Sequence, residues 1–287
     1  MKAAMAQAAA HVTDTCARIW RHPENRGRRA RTLGTYFVWQ AWERTVKRPW
    51  TIPLVPGRLI RCYPHCQISS GTLYYRLPER SSMRFLLGYL RPGDTMIDVG
   101  ANVGTYSLLA TTIDDVSVVA FEPAGLTHDR ARRNFELNRV EGRVRLMRQA
   151  VGATPGVAVI SVGLGPQNKV LGPADSGEEV PLATLDDLLP TTPGPVSLVK
   201  VDVEGGELDV LAGARQLIER DSPALILEVN DPAGTERQLK ELGYECYSYG
   251  ADSGHLRPTT VYDHVGLNVI ALRDVEAATG RLRHPRP

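Results

Sequence analysis

The sequence predicts an α/β domain whose doubly wound, mostly parallel sheet is covered by helices on both faces. Two observations carry this. From residue 95 onward, apolar runs of strand length alternate with helix-forming stretches, and such alternation points to a parallel sheet buried on both sides. The first of those runs reads Ile97-Asp98-Val99-Gly100-Ala101-Asn102-Val103-Gly104, a strand broken by a glycine turn that leads straight into helix-forming residues. Such a turn frees backbone N–H groups and lets a polar ligand approach the main chain, as nucleotide-type cofactors require.

The elements follow in order. Residues 1–48 read as basic and helical: Arg26, Arg28, Arg29 and Arg31 precede Leu33, Tyr36, Phe37, Val38, Trp39, Ala41, Trp42 and Val46 at roughly helical spacing. A helix packed on the main domain accounts for this, and so does a membrane-surface or partner-binding helix. The apolar positions spread too widely for one clean stripe, which favours the packed helix. Pro49, Pro53, Pro56 and Gly57 mark a linker. The extension and linker therefore occupy residues 1–57, the main domain 58–276, and a frayed tail 277–287.

Within the main domain, Leu59-Ile60 and Thr72-Leu73-Tyr74-Tyr75 read as short strands and Ser82 to Leu90 as a helix. Strands are expected at 95–99, 116–121, 143–148, 197–203, 224–229, 244–248 and 266–272, and helices at 103–112, 125–139, 206–220 and 233–242. Between Val151 and Pro195 the rhythm fails. Val157 to Val162 looks like an extra strand, and the glycine- and proline-bearing stretch from Gly163 to Gly177 is a candidate substrate lid.

Composition narrows the classes of function. The chain of 287 residues is 43% apolar and 23% charged, ordinary for a globular protein, and its net charge of +2 gives no general case for nucleic-acid binding. The charge is uneven: residues 1–48 hold ten Lys/Arg against Asp14, Glu24 and Glu43. Four cysteines make no disulfide framework, and Cys62-Tyr63-Pro64-His65-Cys66 lacks the fourth ligand of a structural zinc site. No stretch has the ~18–20 apolar residues of a membrane span. These features predict a cytoplasmic protein with no assignable metal site.

Asp98 closes the first strand of the alternating region, and Gly100, Asn102 and Gly104 shape its turn. The next sheet strand ends Phe121-Glu122-Pro123, where doubly wound folds place the carboxylate that grips ribose hydroxyls. The run Leu198-Val199-Lys200-Val201-Asp202-Val203-Glu204 puts three valines on one face and Lys200, Asp202 and Glu204 on the other. Three ionisable groups conflict with a buried central strand unless its end opens on a cleft; a solvated edge strand is the competing reading. Glu228 and Asn230 likewise share a face at the end of the next strand. They suit acid/base or substrate-positioning work, or, for Asn230 and Asp231, helix capping. No G-x-S-x-G elbow or P-loop occurs, which argues against familiar hydrolase and NTPase chemistry.

Taken together, several motifs resemble those of FkbM-type methyltransferases. They are Asp98 to Gly104, Phe121-Glu122-Pro123, Asn134 with Leu137-Asn138, Thr184-Leu185-Asp186, Lys200 to Glu207, Gly213-Ala214, Glu228 and Asn268, in the family's order over about residues 70–272. Gly206 stands where the family more often has alanine. The resemblance implies a class I S-adenosylmethionine-dependent fold with a seven-stranded sheet and O-methylation of a sugar or secondary-metabolite hydroxyl. By position it implies that Asp98, Gly100, Ala101, Asn102 and Gly104 hold the methionine end, with Glu79 a weaker candidate there. Glu122 would take the ribose, and Gln149-Ala150 would lie near the adenine. Lys200, Asp202 and Glu204 would face the methyl group and the acceptor.

Methyl transfer is an in-line displacement, so the protein must align a hydroxyl oxygen with the methyl carbon and take its proton. Asp202 or Glu204 is the expected base, with Lys200 tuning it, and Glu228 is a further acid/base candidate. An NAD-dependent oxidoreductase would share the turn and the ribose acid, but Asn102 and the Lys-x-Asp-x-Glu strand speak against it. A non-catalytic, membrane-associated partner protein would have a degraded cofactor site, and this one is intact. The expected acceptor is a small-molecule or glycoside hydroxyl. No nucleic-acid partner is expected; peripheral membrane contact through residues 1–48 and homo-oligomerisation stay open.

Overall fold

The computed structural model describes residues 2–161, 170–171, 177–192 and 194–283. Most of the lid expected at Gly163–Gly177 lies outside the described residues. Two compact units form, Met1–Pro78 and Glu79–Pro287.

The first unit contains α1 (Lys2–Arg21), α2 (Arg29–Thr45), β1 (Trp50–Val55), β2 (Arg58–Cys62) and α3 (Gln67–Tyr75). Three expectations change in this unit. The proline-marked linker is a hairpin: β1 pairs antiparallel with β2, and the register shifts between Pro53 and Val55, a bulge that tolerates the missing N–H. Residues 72–75 are helical, not extended. The buried positions Ser69, Thr72 and Leu73 recur at helical spacing, and the Thr72 hydroxyl donates to the Ile68 carbonyl at 2.8 Å. With 58–77 folded into this unit, the boundary falls at Pro78 and not at residue 57. Cys62 and Cys66 are buried free thiols.

The second unit runs α4 (Arg80–Tyr89), β3 (Thr95–Val99), α5 (Thr105–Ala110), β4 (Ser117–Phe121), α6 (Gly125–Asn138) and β5 (Val144–Met147). An insertion follows with β6 (Ala150–Val151), β7 (Gly156–Ile160), β8 (Val170–Leu171) and β9 (Glu178–Ala183). Then come β10 (Val196–Val201), α7 (Glu207–Ala212), α8 (Arg215–Asp221), β11 (Ala224–Glu228), α9 (Pro232–Glu241), β12 (Glu245–Gly250), β13 (His255–Pro258), β14 (Asn268–Leu272) and α10 (Val275–Arg283).

Eight described strands form the main sheet in the order β13-β12-β14-β11-β10-β3-β4-β5, and the insertion makes a separate sheet, β6-β9-β7-β8. Strands β5, β4, β3, β10 and β11 are parallel neighbours, while β14 runs antiparallel to both β11 and β12. This is the doubly wound, mostly parallel sheet expected, with β13 added as an eighth strand. The His-Leu-Arg-Pro sequence of β13 carries little apolar signal because it pairs only with β12, at the sheet's edge.

Two helical expectations also change. The helix at 206–220 is broken at Gly213-Ala214, and the Asp186 carboxylate accepts the N–H groups of Gln216 (3.2 Å) and Leu217 (2.9 Å), capping α8. The tail after Ala277 is not frayed through Arg283. Arg281 donates to the Tyr89 carbonyl at 3.1 Å, lies 4.6 Å from the Tyr89 ring centroid and pairs with Asp94.

Register decides which face does chemistry. Asp98 pairs with Ala120 and Lys200, Lys200 pairs with Ile226, and Glu228 pairs with Asn268. Side chains alternate along a strand, so Asp98, Lys200, Glu228 and Asn268 all project from one face. Their neighbours Val99, Val201, Leu227 and Val269 project from the other and are fully or almost fully buried in one apolar cluster. The apolar face anchors the sheet, and the polar side chains converge where the parallel strands end.

Candidate active site

The turn after β3 is built from residues that tolerate left-handed backbone. Gly100, Asn102 and Gly104 have φ of 76°, 52° and 85°, a region open to glycine and, among other residues, most accessible to Asn and Asp. Close packing restricts the turn further. A Cβ on Gly104 would lie 2.5 Å from the Phe135 ring. The N–H groups of Gly100 (3.0 Å) and Ala101 (2.8 Å) both reach the Phe121 carbonyl, so the turn is fastened to the end of β4. Asn134, on α6, donates to the Val103 carbonyl at 2.9 Å.

Glu122 is buried, and its carboxylate accepts from Asn102 N (2.9 Å), Ala124 N (3.0 Å) and Thr127 Oγ1 (2.6 Å). Burial raises its pKa, while those hydrogen bonds pull it back down. It therefore joins the glycine turn to the start of α6. Glu122→Ala is expected to cost about 2–3 kcal/mol, because buried N–H donors lose their acceptor. A thermal unfolding scan of the variant checks this.

Lys200 is buried and does not open onto solvent as a cleft residue would. Its ammonium donates to the Gly100 carbonyl (3.0 Å), pairs with Asp202 (3.0 Å) and Asp98 (3.8 Å), and sits 5.2 Å from the Tyr106 ring centroid. Burial opposes the charge, but the carboxylates of Asp202, Asp98 and Glu79 outweigh it and raise the pKa. Lys200 is thus a fixed cation, unsuited to proton transfer near neutrality. Asp98 is fully buried, with its pKa raised by burial and lowered by Lys200 and Ser107; its Oδ2 accepts the Ser107 hydroxyl (2.6 Å) and N–H (3.1 Å).

Glu79 joins the same cluster. Its Oε2 accepts from the Tyr106 hydroxyl (2.6 Å) and Asn268 Nδ2 (2.5 Å), and the Tyr106 hydroxyl also meets Ser82 Oγ at 2.8 Å. Burial raises the Glu79 pKa, Lys200 opposes it and Asp202 adds to it. Tyr106 and Ser82 carry no sequence signal for this role; Asn268 enters only through the family resemblance. Asn102 Oδ1 and Asn268 Oδ1 are buried without a hydrogen-bond partner. Asn102 lies beside Glu122 and Asn268 beside Glu79, and each of these oxygens has room for one further donor.

Glu228, at the end of β11, is half-buried and accepts from Asn230 Nδ2 at 2.9 Å. Burial, then the negative charge of Asp202, raises its pKa to about 7; Asn230 counters, and Glu204 and Glu207 add to the rise. Asn230 also donates to Glu207 Oε1 at 3.1 Å, and that oxygen accepts the Gly205 N–H at 3.0 Å, which holds the turn after β10. Glu204 is half-buried with φ of 56°. Gln149 is half-buried and Ala150 buried at the start of β6, beyond the end of β5. No group of three or more His, Cys, Asp or Glu side chains among the described residues could hold a metal ion.

The arrangement combines a close main-chain cradle, a buried carboxylate beside it and a carboxylate that titrates near neutrality. A model of the methyltransferase FkbM domain matches residues 98–258. A hexuronic acid methyltransferase, AglP, of Haloferax volcanii is 29% identical over 171 residues, covering 57% of this chain and 68% of that protein. The 31-O-demethyl-FK506 methyltransferase FkbM of Streptomyces tacrolimicus is 31% identical over 180 residues, covering 50% of this chain and 68% of that protein. Among solved structures, a methyltransferase FkbM from Methylobacillus flagellatus superposes with a TM-score of 0.46 at 16% identity. That match covers 85% of this chain and 60% of the other.

Proposed function

The chain belongs to the FkbM family of methyltransferases, and from that membership we propose that it methylates a hydroxyl oxygen of a sugar or secondary metabolite. The cofactor is S-adenosylmethionine, which supplies an electrophilic methyl group when bound. The residues present fit it. The unpartnered Asn102 and Asn268 oxygens, with the Asp98 and Glu79 carboxylates, suit the ammonium of the methionine end. Glu122 suits the ribose hydroxyls, since its three bonds leave one acceptor direction open. Gln149 and Ala150 would border the adenine, and Gly100, Ala101 and Gly104 give the close main-chain approach.

The observation that carries O-methylation is Glu228, a carboxylate with a pKa of about 7 held by Asn230 at a parallel strand's end. A neutral alcohol attacks poorly, and a base titrating near the working pH removes its proton as the new bond forms. Of the sequence candidates, Asp202 is committed to the Lys200 ammonium. We therefore assign proton removal to Glu228, electrostatic support to Asp202 and Glu204, and fixation of the turn to Lys200. The two named relatives act on a hexuronic acid and on 31-O-demethyl-FK506; the second name, which specifies an oxygen position, supports O-methylation, and the first supports a sugar acceptor.

Calorimetry with S-adenosylmethionine and with NAD, followed by incubation with a panel of sugars and natural-product alcohols, tests the reading. Binding of the first cofactor and a mass gain of one methyl on an alcohol are expected. Binding of NAD alone would return the chain to the oxidoreductase reading.

A further inference from the structure

The N-terminal unit carries a surface that methyl transfer does not use. Residues 1–78 hold thirteen Lys/Arg against three acids. Of those acids, Asp14 pairs with Arg18 at 3.1 Å, and Glu43 is buried, accepting the His65 N–H at 2.9 Å. The outward surface of this unit is therefore strongly cationic.

The apolar residues of α2 spread too widely for one stripe because some turn inward and others outward. One face turns Thr32, Tyr36, Trp39 and Glu43 inward. At ~100° per residue the opposite face carries Ala30, Gly34, Phe37, Val38 and Ala41, all exposed. Phe37 is 55% and Val38 54% exposed, and Arg31 and Arg44 flank them on either side, also exposed. At the entry to the helix, Trp20 is 48% exposed, with the Arg29 guanidinium 5.5 Å from its ring centroid. The aromatic ring and the branched aliphatic side chain thus lie side by side in solvent, flanked by arginines, as on an interfacial amphipathic helix.

We infer that the outer face of α2 docks on an anionic lipid bilayer, with Phe37 and Val38 entering the headgroup–acyl boundary and Arg31 and Arg44 meeting lipid phosphates. The pairing of cations with aliphatic surface selects this occupant. A polyanion such as RNA would use the arginines and stack on aromatic rings but gains nothing from Val38 or Ala41. Arginines flanking an apolar strip keep their charged heads in the headgroup layer while their stems cover hydrocarbon. No helix among the described residues is long and apolar enough to cross a membrane; the contact inferred for α2 is with the bilayer surface.

Co-sedimentation of the full chain with phosphatidylcholine vesicles, with and without phosphatidylglycerol, tests it. Binding is expected only with phosphatidylglycerol and should weaken as salt rises. The double variant Phe37→Ser/Val38→Ser is expected to bind on the order of tenfold more weakly at unchanged charge. Arg31→Glu/Arg44→Glu is expected to lose at least about tenfold. Circular dichroism and S-adenosylmethionine binding confirm that the variants are folded. Absence of vesicle binding overturns the inference. So does binding that responds to the charge reversal but not to Phe37→Ser/Val38→Ser, or tighter capture of a polyuridylate that the serine variants leave unchanged.

Discussion

Glu228→Gln is expected to lower kcat by roughly 10²–10⁴-fold while leaving S-adenosylmethionine affinity within about twofold, because the proton acceptor is removed and the shape is kept. The wild-type pH profile supplies a second signature. Glu228 acts as a base only when ionised, so kcat should rise as pH increases through about 7 and then level off. In the glutamine variant that limb should vanish. Stability moves the other way. The folded carboxyl has its pKa raised from 4.5 to about 7, so between those values the folded state holds a proton that the unfolded state releases. Stability contributed by this group therefore falls as pH rises through that window. Glu228→Gln removes the penalty and should melt no lower than wild type above pH 7, which separates lost catalysis from lost folding. Steady-state kinetics, calorimetry and thermal scans on one preparation read all of this.

Gly100→Ala should have the largest effect on the fold and on cofactor binding together. A Cβ at this position would lie 1.8 Å from the Asp202 carbonyl oxygen and 2.9 Å from its carbon, and Gly100 has φ of +76°. Both atoms met are backbone, so no side chain can swing away. Relief requires β3 and the turn after β10 to separate, which would strip the Lys200 ammonium from the Gly100 carbonyl it holds at 3.0 Å. The expected cost is about 3–5 kcal/mol, or roughly 10 °C in Tm, with S-adenosylmethionine binding lost below saturation. A thermal scan with and without cofactor measures it. A variant that melts near wild type and still binds would mean that the two strand ends are not held this closely.

The glycine turn and the charged strand were legible because each is local. A strand that carries Asp98 just before Gly100, and a period of two that sets Lys200 against the valines, need no knowledge of distant residues; the same period fails beyond Val201, where β10 ends and Glu204 takes φ of 56°, so Asp202 and Glu204 belong to the turn and not to the strand face. The mostly parallel character of the sheet followed from the alternation of strands and helices, while the order of its strands came only with the structure. The convergence on Glu79 was not legible: it meets Tyr106 and Asn268 across sequence separations of 27 and 189 residues. Nor could spacing reveal that Lys200 is buried, since that depends on the cover contributed by Tyr106 and the Gly100 turn. Thr72 to Tyr75 has strand-like composition, yet its buried positions follow helical spacing. The prolines at 49–56 hid a hairpin because Pro53 sits at a bulge.

In the proposed reaction Glu228 takes the proton of an acceptor hydroxyl as its oxygen receives the methyl group. Single-turnover transfer from deuterated-methyl S-adenosylmethionine, with wild type and Glu228→Gln compared at equal cofactor occupancy, tests it most directly. One labelled methyl on an alcohol oxygen is expected with wild type, and transfer slowed at least about 100-fold in the variant. Transfer at the wild-type rate by the variant, or label arriving on nitrogen or carbon, would contradict it.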